Sequence, residues 1–340
     1  MTIYSDKTMD ELSIDDLFAD LTSLVYGVAV QHADPASVPA GLTSLMPETA
    51  KAKVRAKVGT AIPKVKANKV VNVSALEGVE KYARPNGQDY YSRTWGEHTD
   101  IEVLRKAREA NQYVLLYGAP GTGKTALVEG AFPDELYTVL GSGDTELSDF
   151  IGGYVQTPSG AFEWVDGSLI KSAEQGKVLL IDEIGLIDPK VLSAVYGLMD
   201  GRKEITITQN PERGTVKAKE GFFVIGATNP NAPGVRLSEA LLSRFTVQVE
   251  MTTDWNLAKK LGVPATAVSV AQNLAKKQAN GETMWSPQMR ELLAFRDLVG
   301  IFGTKFAIAN LLASAPEIDR PVVADVFTRV FGEECRPAKI

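Results

Sequence analysis

Thiols and imidazoles are scarce in this chain. Its 340 residues include one cysteine, Cys335, and two histidines, His32 and His98. A single cysteine excludes an internal disulfide framework and a thiolate metal cluster, and two histidines so far apart in sequence disfavour an imidazole metal site. Long apolar runs are missing too: none approaches the ~20 residues needed to span a bilayer. The start carries Asp6, Asp10 and Glu11, unlike the basic opening of a secretory signal. The expectation is a cytoplasmic protein with no membrane contact. Positive charge is in deficit, with 36 Lys and Arg against 42 Asp and Glu and a net charge of −6. That balance argues against a dedicated nucleic-acid binder, although local patches could still do such work. Hydrophobic content of 44% and charged content of 23% are ordinary for a globular chain, and the length allows two or three domains.

What is present centres on residues 113–125. An apolar run of strand length, Tyr113 to Tyr117, ends in Gly118-Ala-Pro-Gly-Thr-Gly-Lys-Thr125, and Ala126-Leu-Val-Glu-Gly-Ala follows with helical character. This is the G-x-x-x-x-G-K-[ST] phosphate loop in its required strand–loop–helix setting. Gly118, Gly121 and Gly123 let the backbone curl so that the loop spanning Ala119, Pro120, Thr122 and Ala126 can turn its successive N–H groups, Pro120 having none, toward one polyphosphate. The next helix adds its positive N-terminal end. Lys124 would reach the β- and γ-phosphates of ATP, and the Thr125 hydroxyl would take one position on Mg²⁺. The plainer alternative, a Gly-rich turn with a chance lysine, does not account for the flanking strand and helix.

Three further stretches complete a catalytic set. Glu135 to Leu140 reads as a short strand. Gly176-Lys-Val-Leu-Leu-Ile-Asp-Glu-Ile184 is an apolar run ending in two acids, as a buried parallel strand delivers carboxylates to the C-terminal edge of a sheet. Asp182 would hold Mg²⁺, mostly through water, and Glu183 would orient and deprotonate the water that attacks the γ-phosphate. The strand ending Gly226-Ala-Thr-Asn229 would place Asn229 at the same edge, on that water or the γ-phosphate. Leu237 to Phe245 is a short helical segment holding Arg244, better placed to reach a neighbour's nucleotide than its own. That placement implies a ring.

Taken in this order and spacing, GAPGTGKT, LLIDE, GATN and LLSRF resemble the AAA+ ATPases. Residues 148–154 with 161–169, and 201–208 with 214–219, read as two hairpins similar to insertions of the MoxR-like and chelatase branch. Trp285-Ser-Pro-Gln-Met-Arg-Glu-Leu, Ile301-Phe-Gly and Val326-Phe-Thr-Arg-Val-Phe-Gly332 look most like CobS-type cobaltochelatase ATPase subunits. The resemblance spans roughly residues 100 to 332. It implies an α/β P-loop core (a parallel sheet flanked by helices) with hairpin insertions and an α-helical C-terminal lid. It also implies ATP and Mg²⁺ as cofactors, a homo-oligomeric ring, hexameric, and a partner with a von Willebrand A-type domain. One departure stands out. Such lids commonly carry Ser-Pro-Arg, with the arginine on the γ-phosphate, but Gln288 occupies that position here. Arg290 lies two residues on, about 200° around a helix, and would take the role only if the helix start shifts; otherwise it makes a surface salt bridge.

The expected domains are an N-terminal helical region and basic linker at 1–85, the nucleotide-binding domain at 86–252 and the lid at 253–340. Within the first, Ser13 to Asp16 fits a capping box. Leu17, Leu21, Leu24, Val25 and Val28 then form a helical stripe, and residues 34–48 read as a loop. The run from Lys51 to Lys69 holds no acid. It is a nucleic-acid or acidic-partner arm, or more simply a solvated linker, since it lacks aromatics for stacking bases. Residues 85–100 form an aromatic, polar lead-in to a helix that Thr99 or Asp100 can cap.

Three functions compete. The first is an ATP-hydrolysing ring motor that remodels a protein partner. The second is a nucleic-acid motor or loader, using Arg202, Lys203, Arg213, Lys217 and Lys219 of the second hairpin. The third is a non-hydrolysing, nucleotide-gated scaffold, against which the Asp182–Glu183 pair argues. No residue here supplies a chelation site, and fold-level analogy alone does not assign cobalt insertion.

Overall fold

A computed structural model describes residues 79–332 and 334–337. The helix expected after Ser13, the 34–48 loop and the basic run from Lys51 to Lys69 lie outside them. The described chain opens with two small antiparallel ladders, β1 (Lys81–Ala83) with β2 (Asp89–Tyr91) and β3 (Thr94–Trp95) with β4 (His98–Thr99). The boundary expected at residue 85 falls inside the β1–β2 turn. Helix α1 (Asp100–Glu109) begins at a capping box. Thr99 Oγ1 accepts from the Glu102 N–H, and Glu102 Oε2 accepts from the Thr99 N–H.

Next come β5 (Val114–Tyr117), α2 (Lys124–Ala131) and β6 (Leu136–Leu140). The first insertion follows as α3 (Leu147–Ile151), β7 (Gly152–Gln156), β8 (Phe162–Asp166) and α4 (Ser168–Gln175). Beyond β9 (Val178–Asp182), the short helices α5 (Pro189–Leu192) and α6 (Tyr196–Met199) lead into the second hairpin, β10 (Glu204–Thr206) and β11 (Thr215–Lys217). The core closes with β12 (Phe223–Thr228), α7 (Glu239–Leu242) and β13 (Val247–Glu250).

Five of these strands form one all-parallel sheet in the order β13-β5-β12-β9-β6. The three central strands are apolar without alternation because helices cover both faces: every residue of β12 is buried, as are the first four of β9 and the first three of β5. Residue 118, the 182–183 acids and residue 229 therefore emerge at one C-terminal edge. The chain passes from β5 to the far edge strand β6 and returns through β9 and β12. The crevice between β5 and β12 is thus a topological switch point, where ligands bind in open α/β sheets. The parallel sheet with flanking helices is the expected fold class.

The lid is α8 (Trp255–Lys260), α9 (Ala265–Ala279), α10 (Met289–Phe302), α11 (Thr304–Ala313) and α12 (Arg320–Phe331). Its own buried cluster includes Leu274, Leu292, Phe295, Leu312 and Phe327, separate from the core of the sheet. Among the described residues no helix is long and apolar enough to cross a membrane.

Candidate nucleotide site

The phosphate loop runs from the end of β5 to the start of α2. Gly118 has φ +145°, and a Cβ there would come 2.4 Å from the Met251 carbonyl oxygen, so only glycine lets the loop cross so close to the chain leaving β13. Thr122 is buried, and its hydroxyl closes the loop on the Ala119 carbonyl at 2.9 Å. Ala119 and Pro120 form the ascending limb. Gly123, at φ +95°, is the N-cap of α2, whose first three residues are Lys124, Thr125 and Ala126. Lys124 is 6% exposed and folds back under the loop, its Nζ donating to the Gly118 and Ala119 carbonyls at 2.9 and 3.1 Å. Burial lowers its pKa, while the carboxylates of Glu183 and Asp182 pull the other way.

Asp182 meets the residue that follows Lys124. Thr125 Oγ1 donates to Asp182 Oδ2 at 2.7 Å, which puts two hard oxygen ligands side by side at the start of α2. Among the described residues no group of three His, Cys, Asp or Glu side chains could hold a metal ion. A cation here would have these two protein oxygens and take its other ligands from phosphate and water, as Mg²⁺ does. The donor set therefore fits Mg-ATP. Glu183 follows in the left-handed region (φ +49°, ψ +38°), with its N–H on Asp182 Oδ1 at 3.0 Å. That backbone costs a non-glycine residue about 1–3 kcal/mol and re-aims the side chain at the point where the strand ends. Asn229 lies just past β12, where Gly118 N–H donates to Thr228 O at 3.2 Å, so loop and Asn229 are adjacent. Its Oδ1 accepts from the Asn231 N–H. Thr228 Oγ1 is buried without a partner.

The lid supplies the next contact. Gln288 is the N-cap of α10, in a reciprocal box with Glu291. Its Oε1 accepts from Thr253 Oγ1 at 2.7 Å and its Nε2 donates to Ser286. It therefore fastens the helix start to the chain leaving β13. This start brings Arg290 onto the loop: its N–H donates to Gly121 O at 3.1 Å, and a Cβ on Gly121 would approach the Arg290 Cβ to 3.2 Å. The Arg290 guanidinium is largely exposed and paired with Glu291 at 3.3 Å. The contact with the loop is thus made by the Arg290 backbone, while its guanidinium makes the surface salt bridge that is the alternative to a γ-phosphate role.

Arg244 does not join this group. Its guanidinium lies 4.2 Å over the Tyr196 ring, and Nη1 donates to Ala240 O at 2.5 Å. Sequence reasoning missed Tyr196, which also meets Ser238 through its hydroxyl at 3.0 Å. It missed Arg93 as well. This lead-in residue donates from Nη2 to Thr122 O at 2.5 Å and from Nη1 to Thr252 O at 2.9 Å. Neither residue stands in a motif, so no pattern could have found them.

Most basic residues of the second hairpin have partners. Arg202 pairs with Asp200 at 2.8 Å, Lys217 lies 3.6 Å from Glu204, and Lys203 reaches Asn111. Arg213 crosses to the first insertion, meeting Asp166 at 3.0 Å and Glu174 at 2.5 Å. These acids raise the Arg213 pKa, Asp166 most.

Residues 113–245 match the family model described as AAA domain (dynein-related subfamily). Over 148 residues the chain is 33% identical to midasin of Giardia intestinalis, a match covering 42% of this chain and 3% of that protein. It is 38% identical over 142 residues to the uncharacterized protein YojN of Bacillus subtilis strain 168, covering 39% of this chain and 46% of that one. Over 162 residues it is 34% identical to an uncharacterized protein of Staphylococcus aureus strain USA300, covering 44% and 60%. The chain thus spans less than two thirds of the length of these curated relatives. Residues 113–245 are thus similar to an AAA domain; the CobS-type resemblance of the lid is narrower than these matches reach.

Proposed function

We propose that this chain is an ATP-hydrolysing subunit of a homo-oligomeric ring, hexameric and of the MoxR-like kind, that remodels a protein partner. The observation that carries the reading is the 2.7 Å pairing of Thr125 with Asp182 at one sheet edge, beside the buried Lys124 and with Glu183 next in the chain. When bound, Mg-ATP would be held by the loop N–H groups, Lys124, Thr125 and Asp182, the cation neutralising phosphate charge. Glu183 would take a proton from the attacking water and Asn229 would hold that water. Arg290 would follow the γ-phosphate from the lid. Arg244, held on Tyr196 and Ala240, would serve a neighbouring subunit's nucleotide. A von Willebrand A-type protein is the partner the resemblance favours. The nucleic-acid reading loses ground, because four of the five basic residues of the second hairpin already have partners.

Mixing supplies the test. Arg244→Ala and Lys124→Ala proteins should each be inactive alone, the first losing about 10³-fold or more in rate. Mixed rings should recover part of the activity, because an intact loop then faces an intact arginine. Mixed rings that form and stay inactive would sink the trans assignment.

A further inference from the structure

Resting on the nucleotide reading above, we propose that Arg93 is a positioning residue that sets the phosphate loop for anion binding before nucleotide arrives and ties it to the base of the lid. Arg93 stands between β2 and β3, outside every phosphate-binding motif. Its two terminal nitrogens donate to two backbone carbonyls far apart in sequence, Thr122 O at 2.5 Å and Thr252 O at 2.9 Å. No peptide bond is cis among the described residues. In a trans peptide the carbonyl and the following N–H point in opposite directions. Pinning Thr122 O on the outer face of the loop therefore turns the Gly123 N–H away from the guanidinium, to the face where a phosphate binds. The neighbouring peptide is pinned too, with Gly121 O held by the Arg290 N–H. Two successive peptides are thus pinned by their carbonyls, which is how an anion nest is preorganised.

Gly123 fits this role. A Cβ there would lie 2.8 Å from Arg93 Nη2, and the glycine's φ is +95°, so the residue at 123 leaves room for the guanidinium as well as for the turn. Arg93 is itself held in place. Its N–H donates to Asp100 Oδ1 at 3.1 Å, and its carbonyl accepts from the Asp100 N–H at 2.9 Å. Asp100, 8% exposed, also takes the Tyr90 hydroxyl. At the other end, Thr252 precedes Thr253, whose hydroxyl meets Gln288 and the Met289 N–H at the start of α10. One guanidinium thus spans the loop and the segment that leads from β13 to α8. A lysine would do this less well, since its ammonium is a point donor without the wide planar fork that reaches carbonyls of two separate segments.

The test titrates the full chain, as wild type, Arg93→Lys and Arg93→Gln, with Mg-ADP and with inorganic tripolyphosphate, and records thermal unfolding without nucleotide. Arg93→Gln should lose about tenfold or more in affinity for both ligands, with Arg93→Lys between it and wild type. Nucleotide-free melting should shift by only a few degrees. Equal ADP affinity in wild type and Arg93→Gln would overturn the proposal, and so would a loss with no partial rescue by lysine. A wild type that binds neither ligand would instead overturn the nucleotide reading. Should both variants fail to fold, amide order parameters of Gly121 to Gly123 in nucleotide-free wild type decide. Values near a rigid backbone's ~0.85 are expected, and values below ~0.6 refute a preset loop.

Discussion

The sheet edge bearing the phosphate loop and the two hairpins that interrupt the core are built on opposite terms. At the edge the chemistry is sunk into the protein. Lys124 is 6% exposed, Asp182 and Thr125 hold each other, and the loop is braced by Arg93 and by the first turn of α10. On the first hairpin the apolar side chains face outward, with Tyr154, Val155, Phe162 and Val165 all about half exposed or more. The second hairpin carries charge, and three of its five basic residues face an acid. The two hairpins share one link, Arg213, which lies against Asp166 and Glu174. The difference separates two demands. Positioning for catalysis needs groups fixed to fractions of an ångström by buried partners. A surface meant to meet another molecule leaves apolar area uncovered.

The contrast can be broken most sharply at the edge. Lys124→Ala removes a buried charge that the loop is folded around, and ATP affinity should fall about 100-fold or more; calorimetric titration checks it, and retained affinity would refute the phosphate-loop assignment. Glu183→Gln keeps the shape and removes the base proposed above. Binding should persist while hydrolysis slows by about 10²–10⁴, trapping ATP in a steady-state phosphate assay.

Changes at the hairpins should be far gentler. Arg213→Gln cuts a partly exposed ionic link, so the loss should be about 1 kcal/mol, or roughly 2–4 °C in melting temperature. Its informative readout is hydrogen exchange, which should rise in β7–β8 and β10–β11 together if Arg213 holds them as one body. Lys217→Ala should do least, within about 0.5 kcal/mol. It should leave the ATPase response to single-stranded DNA at its wild-type level; a DNA-stimulated rate that falls with this substitution would restore the nucleic-acid reading.

Much of this arrangement is legible from residue order. Val178 to Asp182 and Phe223 to Thr228 are unbroken apolar runs because central parallel strands are covered on both faces, and that pattern needs no partner to be seen. Both hairpins show by alternation, and Thr99 with Glu102 shows by cap spacing. The edge strand β13 was not legible. Val247-Gln-Val-Glu250 is four residues long and half-exposed along its length, and it is a strand only because β5, more than a hundred residues earlier, offers it a parallel ladder. The ladders of the lead-in are as short, and Tyr82 belongs to one only through Tyr90. Arg93 and Tyr196 carry no pattern at all, since their partners are backbone carbonyls and a guanidinium brought near by folding.

Local chemistry was enough to say which side chains end the strands. Once a parallel sheet is inferred from apolar runs joined by helices, its C-terminal edge must collect Gly118, Asp182, Glu183 and Asn229, because every strand points the same way. The reach of the arginines was another matter. Rotation along an ideal helix turns the Arg290 guanidinium away from the loop, and it pairs with Glu291; what rotation could not show is that α10 starts where Gln288 locks onto Thr253 and Glu291, which sets the Arg290 N–H on Gly121 O. Long-range caps set where a helix begins, and a side chain's neighbours follow from that origin, so only the packed lid could place Arg290. Packing likewise put Arg93 behind the loop and laid Arg244 on Tyr196.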